Sequence, residues 1–178
     1  METSQSLNVE VIDNSEQYRR DYRNAMARLG AGTNIVTTDG SAGRAGFAAT
    51  AVCSVTDTPP TLLVCLNRGS SAYAAVHGNR TLCVNVLGGE HAELCRIFGG
   101  GTPVDQRFDT VAWAASETGC PRLPDALVSF DCRISSMTAC GTHDIALCEV
   151  QAITIGEAKS ALIYFERRYH AICREGEL

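Results

Sequence analysis

The chain has 178 residues, 45% hydrophobic and 20% charged, which suits one domain able to bury a sizeable core. Its formal net charge is -5, with both signs spread along the chain, so no basic stripe exists to hold nucleic acid or an anionic membrane. No apolar run approaches the roughly 20 residues of a membrane-spanning helix, and the polar N-terminus does not read as a secretory signal. A cytoplasmic location follows as the expectation.

Residues 1–13 read as a loose tail and residues 14–178 as a single domain. Asp13 as a cap, with Glu16 three residues on, starts a helix. Tyr18, Tyr22, Ala25, Met26 and Leu29 then recur at helical spacing, which predicts an amphipathic helix covering the core until Gly30 stops it. Asn34-Ile35-Val36-Thr37-Thr38 is β-branched and strand-like, and Asp39-Gly40 signals a turn. Residues 46–55 are small and apolar, Pro59-Pro60 breaks the run, and residues 61–66 read as a fully buried strand. Residues 70–77 predict a short helix capped by a Ser, residues 82–87 a strand, and residues 90–98 a second short helix stopped by Gly99-Gly100-Gly101.

Residues 102–124 are the least regular, read as loop with one short strand. Alternation then returns. Val128, Phe130, Cys132 and Ile134 are expected on one face, with Ser129, Asp131, Arg133 and Ser135 on the other. Gly141 punctuates, residues 145–155 form a long strand, and Leu162-Ile163-Tyr164-Phe165 reads as the last. Strands dominate and βαβ spacing is absent, so the predicted class is mainly β, a closed or partly closed antiparallel barrel.

The nine cysteines are odd in number and contain no Cys-x-x-Cys. Most sit in apolar runs, so they read as small buried hydrophobes in a reducing compartment, with no metal site. Gly30-x-Gly32 lies after a helix and before a strand, the wrong order for a dinucleotide-binding turn. Neither a Walker A sequence nor a Gly-x-Ser-x-Gly elbow occurs.

Gly46-Phe47-Ala48-Ala49-Thr50-Ala51-Val52-Cys53-Ser54-Val55 is poor in bulk. It reads either as a strand whose partner packs close, or as a wall whose backbone approaches a flat ligand. Asn67-Arg68-Gly69-Ser70-Ser71 after a strand suits either an anion or an ordinary cap. Gly141-Thr142-His143-Asp144 puts an imidazole at a strand edge, either as a proton-handling group or as a turn residue. Glu166-Arg167-Arg168-Tyr169-His170 combines cations with an aromatic, and suits a ligand, a subunit contact or a solvated end.

Ala49-Thr50-Ala51-Val52-Cys53-Ser54-Val55-Thr56-Asp57-Thr58-Pro59-Pro60 resembles the core signature of the short-chain flavin reductases that serve two-component monooxygenases. Cys83-Val84-Asn85-Val86-Leu87 and Gly141-Thr142-His143-Asp144 resemble its second and third signatures. The likeness runs from about Tyr22 to His170. Gly43-Arg44-Ala45-Gly46-Phe47, Cys65-Leu66-Asn67-Arg68-Gly69, Phe98-Gly99-Gly100 with Thr102-Pro103, and the run from Ala126 to Ser135 look closer to the branch of bacterial pyrimidine utilisation. The alternative branch supplies 4-hydroxyphenylacetate 3-monooxygenase.

The resemblance implies a split, Greek-key β-barrel working as a homodimer. It implies NADH-dependent reduction of FMN, with FAD possible, and delivery of reduced flavin to a monooxygenase, the one that opens the uracil ring. A non-enzymatic flavin-binding module is the other reading of the same barrel. Carried onto this chain, the backbone of Ala48, Ala49, Thr50, Ala51, Val52, Cys53 and Ser54 would line the isoalloxazine. Asn67, Ser70 and Ser71 would hold the ribityl phosphate. Asn85, Val86 and Leu87 would flank the ring or ribityl chain. His143, as the catalytic candidate, would meet the nicotinamide with Arg168 and Tyr169. Many relatives carry a hydroxyl where this chain has Ala48 or Ala51, so main-chain bonds are expected to replace side-chain ones there. The flavin itself accepts the hydride, so no acid–base pair is demanded.

Overall fold

Three α-helices and twelve strands follow in chain order in the computed structural model, which describes residues 15–157 and 159–173. They are α1 (Glu16–Met26), β1 (Ala31–Gly32), β2 (Asn34–Thr38), β3 (Ala45–Ala49), β4 (Val52–Asp57), β5 (Pro60–Asn67), α2 (Tyr73–Asn79), β6 (Thr81–Val86), α3 (Ala92–Phe98), β7 (Ala114–Ala115), β8 (Pro121–Arg122), β9 (Val128–Cys140), β10 (His143–Ile155), β11 (Ser160–Phe165) and β12 (Arg168–Cys173). The tail expected over residues 1–13, and the Asp13 cap with it, lie outside the described residues. Ser15 caps α1 instead, its hydroxyl accepting from the Tyr18 N–H at 3.2 Å.

Seven strands form one antiparallel sheet in the order β3-β2-β6-β9-β10-β5-β4. Its two edge strands, β3 and β4, are consecutive in the chain and joined only by Thr50 and Ala51. The sheet therefore curls until its edges meet at that crossing, which leaves the barrel split there. β1, β11 and β12 make a second, three-stranded sheet. It is stitched to the barrel through Thr33 N–H to Leu162 O and Leu162 N–H to Leu87 O.

Strand alternation builds two cores. Val36, Phe47, Val64, Leu66, Val84 and Ile134 fill the barrel. Ile35, Leu87, Leu94, Phe98, Phe108 and Leu162 fill the space beneath α3. β2 feeds both, one side chain to each face, and all five of its residues are buried.

Several expectations need correction. β5 is not fully buried: Leu62, Val64 and Leu66 point in while the residues between them are half-exposed. On β9, Ser129 and Asp131 are buried rather than solvent-facing. The segment carrying β7 and β8 covers that face, and the Asp131 carboxylate accepts from Ser116 Oγ, Thr118 N–H and Thr118 Oγ1 at 2.6–2.8 Å. Residues 102–124 hold two short strands and a 3₁₀ turn instead of one strand. β12 follows the strand expected to be last, entered through Glu166 and Arg167 at φ 47° and 59°. Among the described residues α1 covers no core: Tyr18 is 45% and Tyr22 60% exposed. Five of the nine cysteines are buried as expected, while Cys53, Cys140 and Cys173 are exposed.

Candidate functional site

A cleft of about 610 Å³ opens where the barrel splits. One wall is the end of β3 and the crossing turn, Ala48, Ala49, Thr50 and Ala51. Because β3 is an edge strand, its outer backbone has no strand partner. Gly46 O faces that edge, accepting from Arg107 Nη1 at 2.7 Å, whereas Ala49 O faces inward to Asn34 Nδ2 at 3.1 Å. Antiparallel alternation therefore turns the Ala48 N–H and C=O to the same outer edge as those of Gly46. Methyl side chains leave this edge open to a planar molecule.

The end of β5 supplies the next wall. Asn67 Oδ1 accepts from Gly69 N–H at 2.8 Å, and Ser70 Oγ accepts from Ala72 N–H at 3.2 Å. These bonds shape a tight turn ahead of α2. The helix begins at Tyr73 with Ala72 at its cap, so Ser70 shapes the turn rather than capping the helix. Across the sheet, His143 pairs in register with Asn67 and also lines the cleft, its Nδ1 2.9 Å from Thr142 Oγ1. Arg68 and Asp144 lock the two segments together. Arg68 Nε donates to Asp144 Oδ1 at 2.6 Å and Tyr73 Oη to Oδ2 at 2.8 Å. The Tyr73 hydroxyl first, then Arg68, hold the Asp144 carboxyl below the usual carboxylate range.

The floor was not legible in the sequence. Phe98, Gly99, Gly100, Gly101 and Arg107 line it. Arg107 is 5% exposed and donates from Nε to Thr102 O at 2.9 Å and from Nη2 to Ser71 Oγ at 3.1 Å, besides the bond to Gly46 O. Its acceptors are all neutral, and no carboxylate among the described residues pairs with it. Burial lowers its pKa, but a guanidinium remains charged at neutral pH.

The expected residues thus divide. Ala48, Ala49, Thr50, Ala51, Asn67, Ser70, Ser71 and His143 meet in the cleft. Val52, Cys53 and Ser54 do not: the crossing carries them to the opposite edge of the sheet, where they line a second hollow of about 400 Å³ together with Val86. Asn85 does not line the cleft either and is fully buried. Its amide donates to Ile35 O and its oxygen accepts from Leu123 N–H and Ser129 Oγ. Leu87 is fully buried in the core beneath α3. Tyr169 lines a smaller hollow of about 180 Å³ behind the same Ala48–Thr50 wall, with Thr33, Cys95 and Tyr164. Burial, then a bond to the Cys95 thiol, raises its phenol pKa. Arg168 is exposed on β12 and lines neither hollow.

A split antiparallel barrel whose cleft joins a bare backbone edge to a buried cation has the shape and charge of a cofactor-binding site. The match at family level is specific: residues 26–173 fit the flavin reductase like domain, and the chain belongs to that family. It is 62% identical over 157 residues to the FMN reductase (NADH) RutF 2 of Rhizobium rhizogenes, covering 88% of this chain and 91% of that one. A candidate flavin reductase of known structure from Haemophilus somnus is 45% identical, with TM-score 0.83 over 86% of this chain and 98% of its own. The Streptomyces globisporus NADH:FAD oxidoreductase SgcE6, solved with NAD and FAD fragments, is 25% identical, with TM-score 0.83 over 94% and 99%. Among the described residues no helix is long and apolar enough to cross a membrane.

Proposed function

We propose that this chain reduces FMN with NADH and releases the reduced flavin to a partner monooxygenase, the ring-opening enzyme of pyrimidine catabolism. The observation that carries the reading is the cleft, which joins an open backbone edge at Ala48 to the buried cation of Arg107. Its volume falls within the range of cofactor sites. FMN asks for this pairing, a flat ring with donors and acceptors along one edge and a phosphate at the far end. When bound, it supplies the two-electron chemistry.

The chain's own residues then have limited tasks. The main chain at Ala48 holds the ring edge, and the methyl groups of Ala48, Ala49 and Ala51 leave a face open for stacking. Asn67, Ser70 and Ser71 flank the ribityl phosphate. His143 stands over the cleft, where it orients the nicotinamide or moves a proton at its ring nitrogen. Tyr169, behind the wall, shapes the nicotinamide side. Few side chains grip the flavin, which suits a product that must leave.

A homodimer is part of the proposal. Among the described residues nothing buries the apolar face of α1, and Val55, Ile153 and Ile155 are 48%, 54% and 81% exposed. FMN-dependent loss of NADH, with oxygen regenerating the flavin, tests the activity, and no such loss would sink it.

A further inference from the structure

His143 stands first in β10, directly after the turn of Gly141 and Thr142 that joins β9 to β10. Gly141 takes φ +56°, the left-handed conformation that glycine adopts most readily. Both chain neighbours of His143 are tied to one residue beyond the end of β5. Arg68 donates its backbone N–H to Thr142 O at 3.0 Å and its Nε to Asp144 Oδ1 at 2.6 Å. Asp144 is 6% exposed, and Tyr73 Oη donates to its other oxygen at 2.8 Å. The main chain that carries His143 is therefore held on both sides.

The ring needs a holder of its own. His143 is only half-buried, so its imidazole can swing toward solvent unless a partner restrains it. Thr142 Oγ1 lies 2.9 Å from its Nδ1. His143 lines the cleft, whereas Thr142 does not, so the hydroxyl acts from behind the ring. A hydroxyl both donates and accepts. It donates to a bare Nδ1 and accepts from a protonated one, which keeps one ring orientation in either state. With Nδ1 occupied, Nε2 is the nitrogen left to meet a ligand, as donor or as acceptor. The β-branch of threonine, with few rotamers to lose, suits the task.

We propose that Thr142 is a positioning residue for the reduction step: its hydroxyl fixes the His143 imidazole at Nδ1 and so commits Nε2 to the nicotinamide side of the cleft. The proposal rests on the FMN-reductase reading and on the task given there to His143. It requires the effect of Thr142 to pass through His143 alone.

The test is stopped-flow reduction of FMN at saturating NADH by wild type, Thr142→Val, Thr142→Ser, His143→Ala and the Thr142→Val/His143→Ala double variant, with FMN affinity titrated on each. Thr142→Val should slow reduction about five- to tenfold, the worth of one neutral hydrogen bond, with FMN affinity unchanged. Retained affinity also reports that the variant folds. Thr142→Ser keeps the hydroxyl and should restore most of the rate. The double variant should be no slower than His143→Ala, because residues acting as a unit are not additive. Thr142→Val at the wild-type rate, Thr142→Ser as slow as Thr142→Val, or a further loss in the double variant would overturn the proposal. So would a parallel fall in FMN affinity, which marks a brace of the cleft, or a His143→Ala chain as fast as wild type; all of these leave the reductase reading intact. A wild-type chain that does not reduce FMN would remove that reading as well.

Discussion

Gly46→Ala is a one-methyl change with a steep expected cost. A Cβ there would stand 2.7 Å and 3.1 Å from two ring carbons of Phe98 and 3.2 Å from Val36 O. Phe98 cannot retreat easily: it is 1% exposed and its ring is held by Phe108 at 5.2 Å and Trp113 at 5.6 Å. Overpacking of this kind costs about 2 kcal/mol, which lowers the melting temperature of a chain this size by about 4–8 °C. FMN affinity should fall as well, because Gly46 O anchors Arg107 and Phe98 lines the cleft. Thermal melts of Gly46→Ala, Phe98→Leu and the double variant read the effect. The smaller ring substitute should recover about 1 kcal/mol of coupling in the double variant. Melting of Gly46→Ala indistinguishable from wild type, or strictly additive losses, would refute a wedged Phe98.

Three further outcomes follow from the site. His143→Ala should slow flavin reduction about a hundredfold if the imidazole moves a proton while leaving FMN affinity nearly intact; an unchanged stopped-flow rate at saturating NADH defeats the role. Asp144 has a lowered folded pKa, so its contribution is fully present above the ordinary value of about 3.9 and is lost as pH falls through the folded value. Urea midpoints of wild type and Asp144→Asn should therefore differ at neutral pH and converge in acid; a gap independent of pH contradicts this. In the native state Cys53, Cys140 and Cys173 should react rapidly with a thiol reagent, while buried thiols stay inert, burial having pushed Cys148 up to about 12. Cys65 lines the cleft and should be shielded by FMN; nine thiols reacting at once without denaturant would contradict the burial.

What the sequence could disclose depended on whether a residue's environment is local. β2 and β6 were legible because runs such as Ile35-Val36 and Leu82-Cys83-Val84 are β-branched or apolar in any setting. The Ala48–Ala51 wall was legible because lack of bulk is visible in the chain itself. Asp131 was inverted because its partners, Ser116 and Thr118, lie more than ten residues away in an irregular segment, and Ser129 because its hydroxyl meets Asn85 on the neighbouring strand. The burial of Asn85 is not legible in the sequence, because nothing near it in the chain shows that Leu123 and Ser129 occupy its oxygen. Arg107 gave no signal either, sitting between Gln106 and Phe108 in the least periodic stretch of the chain. Its meaning comes only from burial without a carboxylate. Residues 52–54 continue the small-residue run in sequence but cross to the other sheet edge in space, a topological fact that side-chain size cannot reveal.

The central claim is that this chain turns over free FMN and lets the product go. Anaerobic mixing of a trace of protein with NADH and a large excess of FMN tests it directly through the flavin absorbance. The account predicts that the whole flavin pool is bleached, many equivalents per chain. No bleaching, or bleaching that stops at one flavin per chain, would contradict it and leave a flavin-holding module in its place.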